Sequence, residues 1–172
     1  TGFAVLRSDD KTVTLKYGPH GGGHGHPDKL SISIHDGNKE LVSDLGTSAY
    51  GVPAFTRWYR KTLSHSTLTV DGKDQNATTG ELVSFKNTKK GGEVKARVTD
   101  AYLGVQMNRQ LTLHKDKLTD LFSATSPEEH LYDYVLILTE KPDFARAGET
   151  VVLNDAPVYN YITNATRMTI SG

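Results

Sequence analysis

The chain has 172 residues, with 20 Lys plus Arg against 20 Asp plus Glu, no cysteine and a formal net charge of zero. That balance argues against a broad electrostatic grip on nucleic acid, and the missing thiols exclude disulfides and thiolate metal sites. No apolar run nears the roughly 20 residues that span a bilayer, so the expectation is one domain over 1–172 with neither nucleic acid nor a membrane as partner.

The chain opens on Thr1-Gly2-Phe3 and runs at once into a strand-like pattern, which reads as a fragment or a processed product. Phe3–Arg7 and Thr12–Tyr17 are the first strand candidates. A His/Gly-rich stretch follows, and then Leu30, Ile32 and Ile34 alternate with Ser31, Ser33 and His35, the period of a strand with one buried face. Asp36-Gly37-Asn38 is a turn signal, with Glu40–Leu45 as the return strand. Leu68 and Val70 alternate with threonines before Asp71-Gly72. Glu81–Lys86, Glu93–Asp100, Val105–His114, Lys117–Ser123, Tyr132–Thr139 and Glu149–Leu153 complete the strand candidates. The polar stretch Lys86–Gly92 is expected to be an exposed hairpin loop. Many short strands with turn signals about every ten residues predict an all-β, antiparallel β-sandwich with few or no helices.

Chemistry concentrates between Gly18 and Asp28, where His20, His24 and His26 sit among five glycines. Imidazole can act as base, acid or metal ligand near neutral pH. In extended backbone His24 and His26 point to the same side. A zinc ion needs at least one more protein ligand, for which Asp44 and His65 are the downstream candidates. Simple hairpin pairing of Asp36 with Lys39 would set Asp44 opposite Ser31, on the order of 10 Å or more from His26 at the usual strand rise. A second unusual stretch, Phe55–Lys61, joins Trp58 and Tyr59 to Arg57, Arg60 and Lys61. Aromatic faces suit sugar rings and Arg forks suit carboxylate or sulfate, although Trp58 could equally plug the core. No phosphate loop, dinucleotide fingerprint or Gly-x-Ser-x-Gly nucleophile motif is present.

Three segments together carry a resemblance. Tyr17-Gly-Pro-His-Gly-Gly-Gly-His-Gly-His-Pro-Asp-Lys-Leu, then Asp44-Leu-Gly-Thr-Ser-Ala-Tyr-Gly, then Trp58-Tyr-Arg-Lys-Thr-Leu-Ser-His-Ser-Thr-Leu-Thr-Val-Asp-Gly resemble the heparinase II/III-like polysaccharide lyases. The match is specific from Tyr17 to about Gln75. In that family the segment opens a β-sandwich that follows an α/α toroid, so the resemblance implies a parent lyase whose toroid is absent here. It implies a mainly structural zinc held by His26, Asp44 and His65, with the loop folding back to bring them together. It gives His24 a place facing substrate, as base or as carboxylate partner in β-elimination of a uronic-acid polymer such as alginate or heparan sulfate. Tyr50, Arg57 and Tyr59 are candidates for sugar contacts. The resemblance further implies a bacterial periplasmic or secreted setting. This chain alone is expected to be inactive, because other catalytic groups lie on the toroid in family members. The competing reading is a non-catalytic, zinc-stabilised carbohydrate-binding or scaffold module. A cupin-like metal oxygenase fits less well, because the Glu that should follow His-x-His a few residues on is missing.

Overall fold

Period-two alternation builds two four-stranded antiparallel sheets in the computed structural model, which describes residues 2–141, 148–153 and 157–168. The first sheet runs in simple order through β1 (Phe3–Ser8), β2 (Lys11–Lys16), β3 (Ile32–Asp36) and β4 (Lys39–Val42). After the short β5 (Leu68–Val70), the second sheet meanders through β6 (Glu81–Thr88), β7 (Gly91–Tyr102), β8 (Val105–His114) and β9 (Lys117–Thr125). Two small ribbons complete the described residues: β10 (Tyr132–Tyr134) pairs with β5, and β11 (Glu149–Thr150) pairs with β12 (Thr166–Arg167). The predicted sandwich is therefore present, and its helical content is limited to short turns. Among the described residues no helix is long and apolar enough to cross a membrane.

The core lies where β1 packs across β6, β7 and β8. Ala4, Leu6, Val13, Leu15 and Ile32 come from one sheet, and Val94, Ala96, Val98, Met107, Leu111 and Leu113 from the other. Burying a Val, Leu or Met side chain contributes about 1.5–3 kcal/mol, so this double layer supplies most of the driving force. Below the core, Asp71 accepts hydrogen bonds from the Leu131 amide at 3.0 Å and meets the His130 ring at 2.9 Å. The His130 contact, reinforced by that amide, holds the Asp71 carboxyl below its ordinary pKa.

Several boundaries differ from the sequence expectation for identifiable reasons. Lys86–Gly92 is not a loop: Lys86 pairs with Glu93, Asn87 with Gly92 and Thr88 with Gly91, so the strands run to a tight turn. Gly91 permits this with φ of 112°, where an added Cβ would stand 2.0 Å from the Leu113 carbonyl oxygen. Tyr132–Thr139 is strand only to Tyr134. Beyond it the chain runs irregularly along the edge of β4, through the Ser43 amide to Ile137 and the Thr139 amide to Leu41. Glu149–Leu153 shortens to Glu149–Thr150. Trp58 is not a core plug. It is half-buried and stacks on Tyr161 with centroids 5.6 Å apart and planes 24° from parallel.

Candidate functional site

The His/Gly stretch leaves β2 and folds back through a single 3-10 turn, Gly22–His24, before rejoining the sheet. Its compactness depends on Gly25, where an added Cβ would lie 1.8 Å from the carbonyl oxygen of His20. The space around Gly25 is thus filled by the loop's own backbone. Arg60 Nη2 donates to the Gly25 carbonyl at 3.2 Å and ties the loop to the π-helical turn Phe55–Tyr59.

A cleft of about 390 Å³ opens beside β2 and β3, with Lys16, His24, His26, Asp28, Asp44 and Thr47 on its walls. His24 is exposed, and its Nδ1 lies 2.6 Å from the Tyr50 hydroxyl. Tyr50 packs edge-on against Phe55, 4.9 Å between centroids. This contact links the His24 tautomer to the direction of the hydrogen bond: when the hydroxyl donates to Nδ1, Nε2 of the neutral ring carries the proton, and when Nδ1 donates, Nε2 is the free nitrogen.

Behind His24 lies a more buried group. The His26 and His65 rings are 5.2 Å apart, and His65 is 1% exposed. His65 Nδ1 meets Asp44 Oδ2 at 3.2 Å, while its Nε2 is buried with no hydrogen-bond partner among the described residues. Burial, and then the neighbouring His65, push the His26 pKa down, which favours the neutral imidazole that binds metals. The Asp44 carboxyl is raised by burial, but its contact with His65 and the amide of Gly46 outweigh this and leave it low. One ligand atom each from His26, Asp28 and His65 falls within a span of 4.8 Å, close enough to hold a metal ion.

Strand pairing does not place Asp44, because β4 ends at Val42 before reaching it. Asp36 pairs with Lys39 as supposed, but Ile34 already pairs with Val42, and the chain leaves the sheet after Val42. The Ser43 carbonyl is then fastened by the Ser66 hydroxyl at 3.5 Å, which brings Asp44 to His65. Of the proposed sugar contacts, Tyr50 reaches His24. Arg57 lines a different cleft, and Tyr59 is half-buried at the end of its turn, where its carbonyl accepts from Ser64 Oγ.

A family model described as Heparinase II/III-like, C-terminal matches residues 1–152. The chain belongs to this family. It is 31% identical over 119 residues to an exo-oligoalginate lyase of Saccharophagus degradans, a match covering 59% of this chain and 16% of that protein. It is 33% identical over 85 residues to a heparin-sulfate lyase of Pedobacter heparinus, covering 45% and 13%. The fold is similar to that of a heparinase III, the BT4657 gene product, with a TM-score of 0.74 and 20% identity over 87% of this chain and 24% of that one. It is also similar to the heparan sulfate lyase HepC from Pedobacter heparinus, with a TM-score of 0.60 and 22% identity over 67% and 19%. The chain thus spans less than a fifth of the curated relatives it matches.

In this heparinase II/III-like C-terminal domain, residues absent from the sequence expectation hold the site. Asp28 is 2% exposed and pairs with Lys16 and, at 3.2 Å, with Lys29. Lys29 is fully buried, and desolvation pushes its pKa down. Gln75 clamps Lys29 from both sides, accepting its amide at 2.7 Å and donating to its carbonyl at 3.1 Å. Arg109 on β8 is also fully buried. Its Nη1 donates at 2.7 Å to both the Leu30 and the Ser66 carbonyls, its other nitrogens grip Asp120, and Nη2 reaches the Tyr134 hydroxyl at 2.8 Å. The signal for Arg109 was present in the pattern: Val105, Met107, Leu111 and Leu113 share its inward face, so a cation there needs buried partners.

Proposed function

We propose that this chain is the β-sandwich part of a bacterial, exported polysaccharide lyase that cleaves a uronic-acid polymer by β-elimination, and that an α/α toroid of the same protein supplies the other wall of the site. The observation that carries this reading is the exposed His24–Tyr50 pair, 2.6 Å apart, set against the half-buried His26 and the buried His65, with two carboxylates on the same cleft. The names of the relatives, which act on oligoalginate and on heparin sulfate, point to the same class of acidic substrate.

In the elimination, a base takes the C5 proton, the electron pair forms the C4–C5 double bond, and the C4–O4 bond breaks as O4 gains a proton. His24 suits two of these duties, depending on which of its nitrogens carries the proton. With Nε2 free it accepts the C5 proton, and with Nε2 protonated it donates to the substrate carboxylate, whose partial neutralisation acidifies C5. Tyr50 sets that choice through its hydroxyl.

The residues also fit a metal. Burial favours the neutral form of His26, its ring lies 5.2 Å from that of His65, and carboxylates stand beside both. Two imidazoles and one carboxylate suit zinc. His26, His65 and Asp44 would hold it, and once bound it would cross-link the His loop to the His65 segment and fix the cleft wall.

The test is turnover by the parent protein on polyuronate substrates, followed by the ultraviolet absorbance of the unsaturated product. His24→Ala is expected to lower the rate by a factor on the order of 10²–10⁴, the usual contribution of general acid–base catalysis. Full activity in that variant would remove His24 from the chemistry. Glycan binding without turnover in the wild-type parent would favour a non-catalytic carbohydrate-binding module instead.

A further inference from the structure

A second recess, larger than the His24 cleft at about 730 Å³, forms where the Thr56–Lys61 segment meets the Gly72–Asp74 turn and the Val158–Tyr161 turn. It shares no lining residue with the His24 cleft. We propose that this recess binds an anionic sugar unit, and so gives the molecule a second contact with an acidic polysaccharide. The choice of ligand class rests on the lyase reading above, while the recess itself does not.

Charge is the first argument. Arg57, Lys61 and Lys73 line the recess with a single carboxylate, Asp74. Asp74 is already engaged: one oxygen takes Lys61 at 2.8 Å and the other accepts the Thr62 amide at 2.9 Å. Lys73 is 74% exposed and comes no nearer than 3.9 Å to Asp71. Arg57 is exposed and makes no hydrogen bond or ion pair with another of the described residues. Arg57 therefore faces the recess with no carboxylate partner among the described residues, and Lys73 keeps only its loose 3.9 Å pair with Asp71, on a chain whose net charge is zero.

Shape and chemistry narrow the ligand. Tyr161 lines the recess and is 40% exposed, while Trp58 stacks on it at 5.6 Å. A tyrosine ring backed in this way is a rigid platform for the C–H face of a sugar ring. Arg57 offers the planar fork that matches a carboxylate or a sulfate, and the Asn160 amide can serve a hydroxyl. The Phe55–Lys61 stretch thus faces two ways: Arg60 secures the His loop, and Arg57 is left for the second recess.

The experiment is an NMR titration of this chain with two anionic probes, an unsulfated oligouronate and a sulfated oligosaccharide, and with a neutral oligosaccharide as control. Amide shifts are expected across residues 56–61, 72–74 and 158–161 with one or both anionic probes, and not with the neutral one. The probe that binds more tightly tells carboxylate from sulfate as the anion recognised. Arg57→Ala and Tyr161→Ala are each expected to weaken binding about tenfold, as the loss of a charge-assisted pair or a stacking platform does. Arg57→Lys should recover part of that loss. Shifts confined to the His24 cleft, unchanged affinity in both recess variants, or no binding of either anionic probe would overturn the proposal. Turnover by the parent without binding here sinks this site and leaves the lyase reading intact. Binding here in a parent that turns nothing over does the reverse.

Discussion

Two carboxylates compete for the role of third metal ligand, and their present partners separate them. Both oxygens of Asp28 face ammonium groups, Lys16 and the fully buried Lys29. Drawing Asp28 onto a metal would leave a buried cation short of its counter-charge, which is costly. Asp44 has the Gly46 amide on Oδ1 and His65 on Oδ2. Purified chain assayed by metal mass spectrometry is therefore expected to carry about one zinc, the occupancy of a single closed structural site. Asp44→Ala and His65→Ala should lose the metal, whereas Asp28→Asn should keep it and lose stability in urea. Metal retained in Asp44→Ala but lost in Asp28→Asn would give the ligand role to Asp28. His24 and His26 were legible because histidines among glycines are conspicuous. Asp28 was not, because an acid just before a strand looks the same whether solvated or buried between two lysines.

At the scale of elements, the site hangs on strands that carry none of its chemistry. β8 sends Arg109 across the sandwich to the carbonyls of Leu30 and Ser66, the first lying four residues after His26 and the second next to His65. Leu30 has φ of 61°, a left-handed conformation unusual for a bulky residue and held by this grip. The Phe122 and Tyr134 rings flank the guanidinium at 5.3 and 5.5 Å. Removing one partner of a buried ion pair costs about 3–5 kcal/mol. Arg109→Met is expected to lose stability in that range by urea unfolding, because it strands Asp120 and two carbonyls together. A loss under about 1 kcal/mol, the worth of an exposed pair, would show that Arg109 is not the cross-link described. Local alternation located β1, β2, β8 and β9 to within two residues at either end, because each strand has one face more covered than the other. The bulge between Ile34 and His35 was invisible to that pattern, since register depends on the partner strand and on contacts such as Ser66 to Ser43.

At the scale of the molecule, the cleft by itself falls short of what the proposed elimination demands. The reaction needs a group to neutralise the carboxylate, a base for C5 and an acid for O4. The cleft offers His24, with Tyr50 sharing its proton, and Lys16 is already paired with Asp28. One imidazole–phenol pair can fill two of the three duties at most. On the reading proposed above, the remaining acid–base power would come from a surface facing this cleft, and the chain spans only 16% and 13% of its curated relatives. Loss of a general acid or base alone lowers rates by about 10²–10⁴, and loss of substrate orientation lowers them further. This chain incubated with a polyuronate is therefore expected to release no unsaturated product above the uncatalysed background. The same polymer should still bind, and the full-length parent should cleave it. Steady release of product by the isolated chain would mean that the cleft is catalytically complete, and would return the missing acid to a residue within it, Tyr50 being the nearest to His24.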